Sequence, residues 1–145
     1  MVSNTVLGEM SDKKIIDSLL KGVFKDLPQR PRWVDGSGLS RYNLFTPEDM
    51  VSILQKMAKE FGMTRIKQVF PGANQGTLKG YYTSAQGKIF AKTGTLSDVV
   101  ALSGYLTTSK GNEVIFSVIV NAHQSPSAAV RRAIEKFLLN YLNSH

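Results

Sequence analysis

Apolar residues recur along this chain with two different periods, one typical of helices and one typical of strands. Three segments carry apolar stripes at helical spacing. Ser11 caps a helix predicted over Asp12–Asp26, and Thr46-Pro47 opens a second helix that is predicted to end at Gly62. Ser125-Pro126 starts a terminal helix. The turn-rich segment Phe70–Gly80 is predicted to be loop.

Three later segments have the composition and alternation of strands. They are Lys88–Thr93, Val99–Thr107 and Glu113–Asn121, and Thr108–Asn112 joins the last two as a hairpin. The third strand is apolar on both faces, which is typical of a central strand covered by helices on both sides. We expect the second and third strands to pair antiparallel, with the first alongside the second.

The order of these elements predicts an α+β fold. Helices precede and follow the strands, so we expect an antiparallel sheet flanked by helices on both faces. The terminal helix is expected to pack across one sheet face through Phe137 and Leu138. The 145 residues suit a single domain, and no apolar run reaches the roughly 18 residues of a membrane span. The segment Met1–Thr5 has no basic and apolar pattern of an export signal.

Composition removes several classes of function. A hydrophobic share of 42% excludes intrinsic disorder, and the absence of cysteine excludes disulfides, thiolate metal sites and cysteine nucleophiles. Because His123 and His145 are the only histidines, we do not expect a histidine-based metal centre. No cofactor is expected either. The net charge of +7 suits polyanions, but the positive residues are spread along the chain. No basic–aromatic interleaving appears, so nucleic acid is not an expected partner.

One short motif carries specific chemistry. Lys92-Thr93-Gly94-Thr95 lies at the predicted end of the first strand. The lysine supplies positive charge, the threonine a hydroxyl donor, and the glycine lets a ligand backbone approach closely. These groups suit a substrate with a carboxylate and an extended backbone. Lys-Thr-Gly is one of three signatures of penicillin-binding proteins and serine β-lactamases, although the same triplet also ends many ordinary strands.

Four motifs occur in a fixed order and together point to a family. They are Asp35-Gly-Ser-Gly-Leu-Ser-Arg-x-Asn43, Gly76-Thr-Leu78, Ala91-Lys-Thr-Gly-Thr-Leu96 and Leu102-Ser-Gly-Tyr105. This order and spacing resembles the C-terminal part of the D-alanyl-D-alanine carboxypeptidases of peptidase family S13, the class C, type-4 low-molecular-mass penicillin-binding proteins. The resemblance implies the β-lactamase/DD-peptidase (penicillin-binding) fold. It also implies a periplasmic or cell-surface serine hydrolase that acts on peptidoglycan stem peptides ending in D-Ala-D-Ala and is acylated by β-lactams.

The resemblance also implies roles for the Lys-Thr-Gly segment. Lys92 would set the positive potential of the cleft and contact the serine of the family's Ser-x-Asn motif. The Thr93 hydroxyl would hold the terminal carboxylate of the substrate, and Gly94 would keep this wall of the cleft open. The backbone N–H of Thr95 would donate to the oxyanion. Lys92 and Thr95 are therefore the catalytic candidates, and Lys92, Thr93, Gly94 and Thr95 are the substrate-binding candidates, whereas the Asp35–Asn43 segment receives only a role in loop shape.

The chain departs from the family pattern at the nucleophile. Ser-x-x-Lys can be written at Ser11…Lys14 and Ser18…Lys21, but Ser11 is interpreted as a helix cap and Ser18 as a position inside a helix. No Ser-x-Asn triplet occurs in the sequence. We therefore expect residues 1–145 to form the C-terminal portion of a transpeptidase-like (penicillin-binding) domain, without the nucleophile-bearing part. The chain alone is then expected to be catalytically incompetent.

Two other classes of function remain open at this point. One is a natural, non-catalytic module that keeps the Lys-Thr-Gly wall to hold stem peptides or another partner. The other is a basic nucleic-acid binder, which the lack of a recognised motif disfavours. An upstream in-frame Ser-x-x-Lys would favour the enzyme over the module. If the helices that carry the nucleophile and the Ser-x-Asn motif are absent, we expect residues 92–95 to be solvent-accessible. We then also expect the chain to self-associate or to be less stable than its length suggests.

Overall fold

The computed structural model describes residues 2–8 and 10–145, with the side chains of residues 2, 3 and 6 left aside. Its helices are α1 (Val2–Leu7), α2 (Asp12–Lys21), α3 (Pro47–Val69) and α4 (Ser127–Ser144), and its strands are β1 (Ile89–Leu96), β2 (Val99–Thr107) and β3 (Glu113–Asn121). Short 3₁₀ turns occupy Gly76–Leu78 and Thr83–Ala85. The chain divides into two compact units, the first ending at Ile53 and the second running from Leu54 to His145.

Helix α2 of the first unit begins where the sequence predicts and ends earlier. The Ser11 side chain accepts a hydrogen bond from the backbone N–H of Lys14, 3.3 Å away, which confirms the predicted cap. The predicted end at Asp26 is wrong, because Gly22 leaves the helical conformation with φ −101° and ψ −106°. The chain then turns back, and the ring of Phe24 packs against that of Trp33, with 6.2 Å between the centroids.

Helix α3 starts at the predicted cap, and a second helical segment follows its predicted end. The Thr46 hydroxyl accepts from the Asp49 N–H, and the Asp49 carboxylate accepts from the Thr46 N–H, both at 3.1 Å. This reciprocal capping box fixes the first turn. Gly62 leaves helical geometry with φ 71° and ψ 157°, but the helix resumes and reaches Val69. The first helical segment of α3 therefore ends at Gly62 as predicted, and a second segment follows it across a kink.

The three strands form one antiparallel sheet in the order β1-β2-β3. This confirms the predicted pairing, and the bounds of β2 and β3 are those predicted from the sequence. The prediction that Glu113–Asn121 is a central strand is wrong, because in the described part of the chain β3 lies at the sheet edge and β2 lies between its neighbours. Residues of both faces of β3 are apolar because helices cover both faces of the sheet.

Each face of the sheet carries its own apolar cluster within the second unit. Even-numbered residues of β2 and β3, such as Leu102, Leu106 and Phe116, pack with Val130, Ile134, Leu138 and Leu142 of α4. On the opposite face Tyr105 packs with Leu54 and Ile66 of α3. The expected α+β architecture with helices on both sheet faces is confirmed. Leu138 is buried as predicted, but Phe137 is 60% exposed, so its predicted packing against the sheet is wrong.

Candidate active-site wall

The Lys-Thr-Gly segment lies inside β1, at an edge of the sheet. Lys92, Thr93, Gly94 and Thr95 pair in register with Ser103, Leu102, Ala101 and Val100 of β2. The strand was expected to end at Thr93, and this is wrong because pairing continues to Leu96 and Val99, next to a turn in which Asp98 has φ 59°. The segment therefore has the extended conformation of a regular strand. In the described structure its outer edge is free to pair with an extended ligand.

The four residues divide between the two faces of the sheet. Lys92 and Gly94 share the face of Tyr105, whereas Thr93 and Thr95 share the face of Leu102 and α4. Lys92, Gly94 and Thr95 are exposed and Thr93 is half-buried, which agrees with the accessibility expected of this segment.

Lys92 heads a polar row that crosses the sheet. Its Nζ donates to the backbone carbonyl of Thr93 at 2.7 Å. Ser103 lies directly opposite Lys92, and its Oγ is 2.8 Å from the Oγ of Ser117 on β3. Ser103 and Ser117 are not linked by any sequence motif, and only the register of the strands brings them together. The ammonium group is thus held against the strand by its own backbone while it remains open to solvent.

An arginine from α4 joins the threonines on the other face. Arg131 Nη2 donates to the Oγ1 of Thr95 at 2.7 Å. Arg131 and Thr93 also line one small cavity, together with Tyr81 and Leu102. The Nε of Arg131 is buried and has no hydrogen-bond partner among the described residues. A guanidinium group therefore stands beside both threonines, and no signal in the sequence links Arg131 to a motif 36 residues away.

Gly104 and Gly94, two glycines of the motifs, differ in whether the packing of the sheet requires them. A Cβ added to Gly104 would lie 2.6 Å from the Cα of Ala91 and would also overlap the carbonyl oxygen of Phe90. The close approach of β2 to β1 therefore requires glycine at position 104. A Cβ added to Gly94 would meet only the Ala101 side chain, at the ordinary contact distance of 3.5 Å. Packing within the described structure does not require glycine at position 94.

The Asp35–Asn43 segment of the first unit is a loop closed by side-chain-to-backbone hydrogen bonds. Asp35 Oδ1 accepts from the N–H of Ser37 at 2.9 Å and from its hydroxyl at 2.7 Å. These two bonds from Ser37 are the main reason why the pKa of the Asp35 carboxyl is below its usual value. Asn43 accepts from the Val34 N–H at 2.8 Å and donates to the Asp35 carbonyl at 3.1 Å. The bonds support the interpretation that this motif shapes a loop.

The two formal Ser-x-x-Lys matches lie on α2 of the first unit. Ser11 caps the helix, and Ser18 lies within it, where its backbone carbonyl accepts from the N–H of Gly22 at 2.9 Å. In residues 2–8 and 10–145, no three metal-ligating His, Cys, Asp or Glu side chains come together. Over the same described residues, no helix has the length and apolarity that crossing a membrane requires.

The fold is that of penicillin-binding peptidases. Over 98% of the chain, it superposes on penicillin-binding protein 4 (dacB) of Haemophilus influenzae, solved in complex with a β-lactam, with a TM-score of 0.80 and 24% identity. It also superposes, over 90% of its length with a TM-score of 0.78 and 21% identity, on a predatory endopeptidase of Bdellovibrio bacteriovorus in complex with an immunity protein. The chain covers 36% and 37% of these two proteins.

The sequence assigns the family within that fold. Residues 29–141 match the model of the D-Ala-D-Ala carboxypeptidase 3 (S13) family, and the chain therefore belongs to this family. It is 29% identical to the D-alanyl-D-alanine carboxypeptidase DacB of Haemophilus influenzae over 92% of its length. It is 39% identical over 74% of its length to a D-alanyl-D-alanine carboxypeptidase of Actinomadura sp. strain R39. The chain spans only 34% and 21% of these relatives.

Proposed function

We propose that residues 1–145 supply the Lys-Thr-Gly wall of the substrate cleft in a serine-type D-Ala-D-Ala carboxypeptidase. The chain would form the C-terminal portion of the transpeptidase-like domain, and the whole enzyme would act on peptidoglycan stem peptides in the periplasm or at the cell surface. The match to the S13 family over residues 29–141 supports this proposal. So do the relatives from Haemophilus influenzae and Actinomadura sp., which are D-alanyl-D-alanine carboxypeptidases.

The observation that carries the proposal is the open, glycine-bearing edge of β1. Strand β1 pairs with β2 on one side, and on its other side Ile89 and Ala91 bond to the Pro71–Ala73 segment. Beyond Ala91 this other side offers backbone groups to an extended peptide. Gly94 sits in this edge although a Cβ there would meet nothing closer than 3.5 Å. Packing against the described residues does not demand the glycine, and the close approach of a ligand backbone would account for it.

Two cations make the same edge suitable for a carboxylate. Lys92 is exposed on one face of β1, and Arg131 donates to Thr95 on the other face. Thr93 lines a cavity with Arg131, so its hydroxyl and the guanidinium could share one anionic group. We assign the terminal carboxylate of the stem peptide to this pair. Lys92 then contributes positive potential. The Thr95 hydroxyl accepts a hydrogen bond from Arg131. We assign the backbone N–H of Thr95 to the oxyanion.

In the whole enzyme, the proposed reaction proceeds through an acyl-enzyme. A serine oxygen attacks the carbonyl carbon of the penultimate D-Ala, and the C–N bond to the terminal D-Ala breaks as its nitrogen takes up a proton. Water then cleaves the ester. The wall described here would bind the departing residue's carboxylate and stabilise the oxyanion. No residue of this chain is assigned as the nucleophile.

Chemical-shift titration with acetyl-D-Ala-D-Ala at low salt tests the binding role. We expect shifts centred on residues 92–95, weaker shifts with the C-terminal amide of the same peptide, and loss of the shifts in Lys92→Gln. Lys88→Gln is the matched control, because Lys88 is exposed and lies just before β1. A response unchanged in Lys92→Gln, or no response at millimolar peptide, would mean that this edge has no binding role.

Intact mass after long incubation with excess penicillin tests the proposed lack of catalytic competence. We expect no stoichiometric adduct, because Ser11 caps a helix and Ser18 lies within it. An adduct that disappears on replacing Ser11 or Ser18 by alanine would show that the chain carries its own nucleophile and would contradict this part of the proposal.

A further inference from the structure

The outer edge of β1 is closed along part of its length by a segment of the same chain. The Ala91 N–H donates to the Pro71 carbonyl at 3.0 Å, and the Ala73 N–H donates to the Ile89 carbonyl at 2.9 Å. These two bonds enclose an isolated antiparallel bridge. All four residues belong to the second unit, so the closure does not depend on any other part of a larger protein.

The next outward-facing residues of β1 are the two threonines of the Lys-Thr-Gly-Thr motif. In a strand the backbone groups of alternate residues face the same side, so Thr93 and Thr95 present theirs to the same edge as Ala91. Successive outward positions are about 7 Å apart. Under the proposed function, Thr95 binds the oxyanion through its N–H, and Thr93 binds the terminal carboxylate. The bound chain therefore runs from Thr95 towards Ala91, and its end lies next to the closed part of the edge.

The segment that closes the edge continues into the Gly76-Thr-Leu78 motif, to which the proposed function assigns no role. Thr77 is exposed, and it lines one cavity with Thr93 and Arg131. The motif thus places a side chain beside the two residues assigned to the carboxylate. The sequence separates it from them, and only the packing of the segment against β1 and α4 brings the three residues together.

Hydrogen bonds and apolar packing hold this segment in place. Leu78 is only 2% exposed and belongs to the apolar cluster between the sheet and α4. The Gln75 N–H donates to the Gly72 carbonyl at 3.0 Å, and the Leu78 N–H donates to the Gln75 carbonyl at 2.8 Å. The Asn74 side chain accepts from the Gly80 N–H at 2.9 Å. Displacing the segment would break such bonds and expose the leucine, so we expect it to stay in place when a peptide binds.

We propose that the Pro71–Leu78 segment is an end stop, which determines the peptides that the carboxylate subsite accepts. A peptide whose main chain ends at Thr93 places its carboxylate beside Arg131. A main chain that continues past this point meets the Pro71 carbonyl, which already accepts from the Ala91 N–H. The ligand is therefore a peptide C-terminus with a free carboxylate and not an internal segment of a chain. This inference rests on the function proposed for β1 and adds specificity-determining residues to it.

A set of short peptides tests the end stop by chemical-shift titration of residues 92–95. The amide of acetyl-D-Ala-D-Ala lacks the carboxylate but adds no chain, whereas the amide of acetyl-D-Ala-D-Ala-Gly-Gly also runs past the subsite. We expect the second amide to bind at least about tenfold more weakly than the first, because its glycines overlap the end stop. Acetyl-Gly-Gly-D-Ala-D-Ala is the matched control, since it carries the same glycines at the other end, and it should bind as well as acetyl-D-Ala-D-Ala.

The outcomes separate the end stop from the binding role of β1. If the Gly-Gly amide binds as well as the shorter amide, the end stop is overturned, while binding of acetyl-D-Ala-D-Ala at residues 92–95 leaves the proposed function standing. If acetyl-D-Ala-D-Ala itself shifts none of these residues, the proposed function is contradicted, and the end stop that rests on it is overturned too.

Enlarging the end stop tests the place of Thr77. In Thr77→Phe the ring fills space beside Thr93, so we expect acetyl-D-Ala-D-Ala to bind at least about tenfold more weakly. Thr83→Phe is the matched control, because Thr83 is also an exposed threonine of a short 3₁₀ turn and does not line the cavity. It should leave the affinity unchanged. Circular dichroism checks that both variants are folded. A folded Thr77→Phe with the affinity of the natural chain would overturn the proposal.

Discussion

The two compact units differ in the kind of interaction that holds each together. The first unit, which ends at Ile53, relies on side chains that bond to backbone groups, such as Asn43, Asp35 and the fully buried Asp49. The second unit relies on an antiparallel sheet with an apolar cluster on each face. Short polar loops are fixed by such specific hydrogen bonds, whereas a sheet with large apolar faces is stabilised by the apolar surface area that it buries.

This difference predicts that steric changes will do most damage in the second unit. In Gly104→Ala the new Cβ overlaps the backbone of β1, so we expect the free energy of unfolding to fall by at least about 3 kcal/mol. Urea unfolding followed by circular dichroism measures the loss. Gly94→Ala is the matched control in the same sheet and should change stability by less than about 1 kcal/mol, as its Cβ makes only an ordinary contact. Similar losses in both variants would show that the strand spacing is not as described.

In the first unit the largest effect should come from a polar group. The carboxylate of Asp49 accepts from the N–H of Gln29 at 2.9 Å and from that of Thr46 at 3.1 Å. Asp49→Ala removes both bonds and the capping box, and we expect a loss of about 2 kcal/mol. Fluorescence of Trp33, the single tryptophan, follows the unit during urea unfolding. Glu48→Ala, in the same helical turn but exposed, should cost less than about 0.5 kcal/mol, and an equal cost would refute the bonded role of Asp49.

One polar bond inside the second unit sharpens the comparison. The hydroxyl of Tyr105, a residue only 3% exposed, donates to the Leu54 carbonyl at 2.8 Å. Tyr105→Phe keeps the ring and its apolar contacts, so we expect a loss of only about 1 kcal/mol. Tyr42→Phe, at an exposed ring, should be neutral. A loss from Tyr105→Phe as large as that from Gly104→Ala would mean that polar bonds dominate in this unit too.

The smallest expected effect is a pH dependence of the Asp35 loop. Hydrogen bonds from Ser37 lower the pKa of the folded Asp35 carboxyl, so the unfolded chain takes up its proton first as the pH falls. The contribution of Asp35 is therefore fully present above the unfolded pKa of about 3.9 and is lost as the pH falls through the lower folded pKa. Urea midpoints from Trp33 fluorescence between pH 5 and 2.5 should show this slope, and Asp35→Asn should reduce it. An unchanged slope in Asp35→Asn would assign the dependence to other carboxylates.

The local sequence pattern predicted most of the elements. It missed the end of β1 and the helical segment that follows Gly62. Runs rich in β-branched and apolar residues, bounded by turn residues, placed β2 and β3 at their observed bounds. The end of β1 was missed because glycine, here Gly94, is depleted in strands, while pairing with Ala101 and Val100 extends this one. Gly62 was predicted to end a helix and does end one helical segment, but a second segment that was not predicted follows it. A glycine permits a positive φ, and packing beyond it decides whether the helix continues.

The sequence by itself determined the α+β class, the sheet pairing and the motifs that point to the S13 family. These depend on short-range periodicity and on residues read in order. Only the tertiary structure decided that β3 is an edge strand, that Arg131 stands beside Thr95, and that Gly104 is required by packing while Gly94 is not. Each of these depends on contacts between residues distant in sequence. An apolar strand or a glycine has the same local signature whether its neighbour in space is a strand, a helix, a ligand or solvent.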